Sequence, residues 1–193
     1  MYFVWKNIER ELCPELISYT KLDSKDISDR FYTKGGVFLK EKLPEITFEV
    51  NTFDGIHGRD SLWAGMPYLV FSPRLQKMLA QAQITNIQYF SALLKNVQPG
   101  EVNRDFKIAN IIGCIPCMDW THSEYVPDPD IPGSVRKITR LVLEPHKIPN
   151  NLHLFRLAEL RTVIICHEQL KNRLDGTVTG VQFIELDQLR IGL

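Results

Sequence analysis

Cys114-Ile115-Pro116-Cys117 has the spacing at which a thiol pair performs redox chemistry or supplies half of a zinc tetrahedron. Redox use requires the first thiol at a helix N-terminus, where the dipole lowers its pKa and favours thiolate attack. The residues that follow, MDWTHSEYVPDPDIPG, cannot supply a helix of useful length. The pair therefore reads as two small apolar side chains in a strand. Zinc would need two more ligands at recognisable spacing, and Cys13 and the Cys166-His167 pair form no second knuckle. No metal and no cofactor is expected. His57 lies in DGIHGRD with Asp54 and Asp60 near, company that could orient a general base. No G-x-S-x-G elbow accompanies it, and H-E-x-x-H, G-x-x-x-x-G-K-[ST] and G-x-G-x-x-G are absent from the chain. His57 reads as a solvated turn histidine, and no residue is assigned to catalysis. A thiol- or histidine-dependent enzyme using Cys117 or His57, and a ligand-sensing regulatory domain, remain the alternatives.

Recognition chemistry has a clearer candidate. No Lys or Arg occurs between Lys107 and Arg136, while Asp119, Glu124, Asp128 and Asp130 fall inside that window with Trp120 and Tyr125 among them. An acidic, aromatic-bearing loop stiffened by prolines suits a basic partner: charge steers, rings bury area, and prolines lower the ordering cost. Trp120, Glu124, Tyr125, Asp128 and Asp130 are the expected contact residues.

The elements that must hold these residues belong to a folded chain. Its 193 residues are 44% apolar and 24% charged, with 23 basic against 23 acidic groups, which excludes disorder along most of its length. Zero net charge removes the usual electrostatic reason for nonspecific nucleic-acid or anionic-membrane binding. No signal peptide is visible, no segment approaches about 20 consecutive apolar residues, and four cysteines are too sparse for a disulfide framework. The expected compartment is the cytoplasm, with neither nucleic acid nor membrane as partner.

Residues 69–90 and 164–184 echo one another. Leu75 and Leu79 align with Leu170 and Leu174; after one dropped residue, Thr85 and Gln88 align with Thr179 and Gln182. Each copy reads as strand, short helix, strand, with the leucines on one helical face. Ser72-Pro73 starts the first helix and Asp175-Gly176 stops the second. A crossover of this length allows each copy to be a small β-α-β element, right-handed if parallel. Tyr2–Trp5 and Thr47–Val50 read as strands and Lys34-Gly35-Gly36-Val37 as a turn. Phe106–Asp119 reads as a buried strand or bent pair, and Val135–Glu144 as a half-exposed strand. The expectation is one α+β domain spanning residues 1–193, a mixed sheet carrying both strand-helix-strand repeats. Residues 66–193 form its regular part and 1–65 a less regular N-terminal portion.

Asn110, then Asp119 nine positions later with Ser123 beyond, resembles the N-[apolar strand]-x-x-D-x-x-x-S stretch of the immunity protein 11 family, bacterial immunity proteins found beside polymorphic toxin genes. Leu154-Phe155-Arg156-Leu157 resembles its L-F-R-L signature. TVIICHEQLKNRLDGTVTGVQF resembles its closing strand-helix-strand, and YLVFSPRLQKMLAQAQITNIQYF its strand–Ser–x–Arg–Leu helix. The likeness covers roughly residues 67–184. It implies an antidote that binds and neutralises one cognate toxin domain, and an acidic face would suit a basic nuclease or nucleotide-modifying toxin. The family is not characterised by catalytic residues, and none is carried over. Asp119, Phe155 and Arg156 are expected in structural roles, with Arg156 pointing away from its neighbours to tie a carboxylate such as Asp119.

Overall fold

The computed structural model describes residues 1–8, 16–19, 36–40, 43–50, 59–63, 69–96 and 101–192. Alternating and continuous apolar runs make strands through most of these, and the paired leucines make two helices. In chain order the elements are β1 (Tyr2–Asn7), β2 (Leu16–Tyr19), β3 (Ile46–Val50), β4 (Ser61–Trp63), β5 (Leu69–Phe71), α1 (Pro73–Gln81), β6 (Ile87–Asn96) and β7 (Val102–Asn103). There follow β8 (Lys107–Ile111), β9 (Cys114–Ile115), β10 (Glu124–Pro127), β11 (Val135–Arg140), β12 (Leu154–Leu157), β13 (Ile164–His167), α2 (Glu168–Leu174), β14 (Val181–Glu185) and β15 (Ile191–Gly192).

The fold is α+β, but the strands divide among three sheets where one mixed sheet was expected. A seven-stranded sheet runs β2-β3-β6-β8-β5-β4, with β7 also on β6. A five-stranded sheet runs β14-β1-β13-β12-β9, and a three-stranded sheet β10-β11-β15. Parallel pairing occurs once in each larger sheet, β3 with β6 and β12 with β9. Phe106–Asp119, expected as a buried strand or bent pair, holds β8 and β9, which belong to different sheets, so the chain changes sheet around Gly113.

The strands flanking each helix are parallel to one another without being neighbours. β5 and β6 both pair antiparallel with β8, which lies between them. β13 and β14 both pair antiparallel with β1, which lies between them. A simple parallel pair is thus replaced in both places by a crossover that skips one strand.

The apolar stripes do what their spacing requires. Leu75 and Leu79 of α1 and Leu170 and Leu174 of α2 are fully buried in one cluster with Trp5, Phe71, Ile111 and Ile164. A second cluster joins the five-stranded sheet to the three-stranded one through Val4, Met118, Ile138, Phe155, Ile165 and Leu189. The five-stranded sheet is therefore covered on both faces, which is why Leu154–Leu157 and Ile164–Cys166 are buried at successive positions rather than at alternate ones. Ser72 caps α1 as its sequence predicts, its Oγ accepting from the Leu75 amide at 3.1 Å with Pro73 in the first turn.

α2 begins at His167, whose Nδ1 accepts the Gln169 amide at 3.3 Å. Its ring stacks on His153 at 5.1 Å and meets the edge of Tyr2 at 5.0 Å. Burial, followed by the nearby amino terminus and His153, holds the His167 pKa below the ordinary histidine value. The unfolded chain therefore takes up the proton first as pH falls. Stability is full above the unfolded value of about 6.5 and declines until the lower folded value is reached. Removing the cap is expected to cost about 1 kcal/mol, and His167→Asn, which takes away the titrating ring, to flatten the pH dependence, as read by thermal melts between pH 7 and 5. Melts of wild type and variant that run parallel across the window refute the His167 contribution to the pH dependence.

Candidate functional site

The window from Asp119 to Arg140 forms a turn and an antiparallel hairpin. Asp119 shapes the turn: its carboxylate accepts the Thr121 and His122 amides at 2.9 and 3.0 Å and pairs with the His122 ring at 2.8 Å. The His122 contact, foremost, holds the Asp119 carboxyl below the usual carboxylate range. Ser123 closes the turn, its Oγ donating to the Val142 carbonyl at 3.1 Å and accepting the Val142 amide at 3.0 Å. β10 then pairs with β11, placing Tyr125 opposite Ile138 and Glu124 opposite Arg140.

Trp120, 39% exposed, meets Tyr125 edge to face with centroids 5.1 Å apart. Glu124 is exposed and accepts weakly from the Thr139 hydroxyl at 3.4 Å. The two remaining acids are not free charges. Arg136 reaches Asp128 at 3.3 Å and Asp130 at 2.5 Å, and the Asp130 amide donates to Asp128 at 2.9 Å. All five expected contact residues thus lie on this turn and hairpin, Trp120 against Tyr125 and Asp128 beside Asp130, while the acidic character of their window is offset by the strand that follows it.

The expected Arg156–Asp119 pair does not form. Arg156 is buried on β12, donates to the Arg161 carbonyl at 2.8 Å, and its Nε has no partner among the described residues. Burial lowers its pKa to about 10. Asp119 is occupied by its own turn, so the two groups answer separate local demands. Phe155 is fully buried in the cluster between the five- and three-stranded sheets. Asn110, fully buried, accepts the Gly36 amide at 3.3 Å and donates to the Val37 carbonyl at 2.9 Å. Asn110, Asp119 and Ser123 are therefore three separate polar fasteners of the backbone.

Cys114 and Cys117 lie on and just after β9, and no helix intervenes before β10. Cys117 is fully buried, and burial with the nearby Glu159 pushes its thiol up to about 12, which leaves almost no thiolate at neutral pH. His57, Asp54 and Cys13 lie outside the described residues, as do Lys34 and Gly35 of the expected turn.

Two buried acids were not singled out from the sequence in the roles they take. Asp60 accepts from Ser72 Oγ at 2.8 Å, Arg74 Nε at 2.9 Å and the Thr179 amide at 3.0 Å, joining the α1 cap to the loop before β14. Glu159 accepts the Met118 amide at 3.2 Å, and burial raises its carboxyl pKa. A serine followed by an arginine at the start of α1 was the only local hint of the first, and no local signal announced the second.

The described residues define a sheet-rich α+β protein whose polar motif residues fasten its backbone. Residues 11–188 match the Immunity protein family (Imm11), and the chain belongs to that family. The match begins at residue 11, well upstream of residue 67. No curated protein matches the chain. Among the described residues no helix is long and apolar enough to cross a membrane.

Proposed function

We propose that this protein neutralises one cognate toxin domain by stoichiometric occlusion, as a single domain acting in the cytoplasm and transforming nothing itself. Membership of the Immunity protein family (Imm11) across residues 11–188 carries this reading. The contact face in this proposal is the 120–130 hairpin, with Trp120 and Tyr125 central and Glu124, Asp128 and Asp130 around them. A standard interface of about 1,600 Å² suits it, and self-protection calls for nanomolar or tighter binding. Coexpression with the toxin domain encoded beside it should relieve toxicity, and the two chains should elute as a 1:1 complex. Unrelieved toxicity with no complex overturns the proposal.

The buried Cys117 thiol supports action by contact rather than by thiol chemistry. Iodoacetamide treatment of the folded protein is expected to leave protection and toxin binding within about twofold of the untreated protein, because alkylation needs an accessible thiolate. Turnover that disappears on alkylation favours the enzyme alternative. We also propose that residues 69–90 and 164–184 are copies of one unit, a reading supported by the strand-skipping crossover each contains.

A further inference from the structure

The hairpin carries a concentration of exposed apolar surface that its charges had obscured. Trp120, Val126 and Ile131 are 39%, 49% and 58% exposed, three of the large hydrophobic side chains left in solvent among the described residues. They are mounted rigidly: Trp120 against Tyr125, the 119–123 turn by Asp119 and Ser123, the hairpin tip by Arg136 across Asp128 and Asp130. Further bonds run from the Asp128 amide to Ser134 and from the Ser134 amide to Ile131. The hairpin's four acids, Asp119, Glu124, Asp128 and Asp130, stand against the three cations Arg136, Lys137 and Arg140, so the hairpin as a whole is close to neutral.

Exposed apolar side chains on a rigid, near-neutral hairpin match a partner surface that is itself apolar and nearly uncharged. A strongly basic surface would have to break the Arg136 pairs to gain the same acids. Strand addition is disfavoured too, because β10 is a four-residue edge strand ending at Pro127, which lacks the amide a ladder needs. We propose that the 120–131 hairpin is a preformed anchor for a near-neutral apolar patch on the cognate toxin domain, with the Trp120 indole as its principal contact. This rests on the toxin-neutralising reading and specifies the partner surface.

The test is calorimetric titration of the full-length protein against the toxin domain encoded beside it. Trp120→Ala is expected to weaken binding on the order of 30-fold or more, and Trp120→Phe to restore most of it. Ile131→Ser, at the most exposed position of the patch, is expected to weaken binding by about tenfold with an unchanged melting temperature. Wild-type affinity should change by less than about threefold between roughly 0.05 and 0.5 M salt, since no net charge is brought together. Wild-type affinity in Trp120→Ala and Ile131→Ser, or a salt dependence of about 100-fold, overturns the proposal and leaves the antidote reading standing. Failure of the wild-type protein to bind or protect overturns both.

Discussion

Asp60→Ala is expected to lower the melting temperature by roughly 6–12 °C, from a loss of about 3 kcal/mol. Asp60 is buried and collects bonds from the Ser72 hydroxyl, the Arg74 guanidinium and the Thr179 amide. Arg74 is half exposed, so its share of the ion pair is screened and small. Most of the cost comes from the buried Ser72 hydroxyl, which loses a charged acceptor where water cannot replace it, and the part-buried Thr179 amide adds less. The same carboxylate gives a pH signature. Burial pushes it up, but Arg74, Thr179 and Ser72 together bring it below the usual aspartate value. Its contribution is therefore fully present above the unfolded value of about 3.9 and is lost as pH falls through the lower folded value. The melting-temperature gap between wild type and Asp60→Asn should narrow on acidification from pH 5 to pH 2. An Asp60→Ala protein that melts with the wild type contradicts the network.

Gly180→Ala should cost on the order of 3–4 kcal/mol, because two penalties coincide at one atom. Gly180 has a φ of +81°, and a Cβ placed on it would lie 2.1 Å from the Ser61 carbonyl oxygen. The left-handed backbone alone costs about 1–2 kcal/mol for alanine. The clash is with backbone, which has no rotamer through which to escape, so the 59–61 segment must move. That movement strains the bonds from the Asp60 and Ser61 amides to the Thr179 carbonyl, at 3.2 and 3.1 Å. Gly176→Ala is the control: its φ is +72°, but nothing lies within 4 Å of the added atom, so only the backbone term remains. Since Asp60 and Gly180 hold the same joint, their combined loss in denaturant unfolding should fall short of the sum of the single losses. Equal effects at Gly176 and Gly180 refute the steric argument.

Within the candidate site, the aromatic hairpin was legible and its electrostatics were not. Trp120 and Tyr125 announced themselves by residue type, and the prolines around them marked a stiff excursion. The window's acidity was an artefact of reading along the chain, because Arg136 lies just past its end and folds back across Asp128 and Asp130. Arg156 shows the same limit. Its place on a strand between Phe155 and Leu157 was plain, but its hydrogen-bond partner is the Arg161 carbonyl on the following loop, and not Asp119.

The sequence alone determined what depends on near neighbours. Leucines four apart and the Ser72-Pro73 cap specified α1, apolar Val135 and Ile138 with basic residues between them specified β11, and the absence of a helix directly after Cys117 removed the thiol activator. The tertiary structure decided what depends on distance through space. It inserted β1 between β13 and β14, seated Asp60 against a loop more than a hundred residues away, and neutralised the hairpin acids. Side-chain periodicity and caps are set by bonds spanning three or four residues, so a short window contains them. Strand partners and ion pairs are chosen by which distant surfaces bury together, and no short window carries that information.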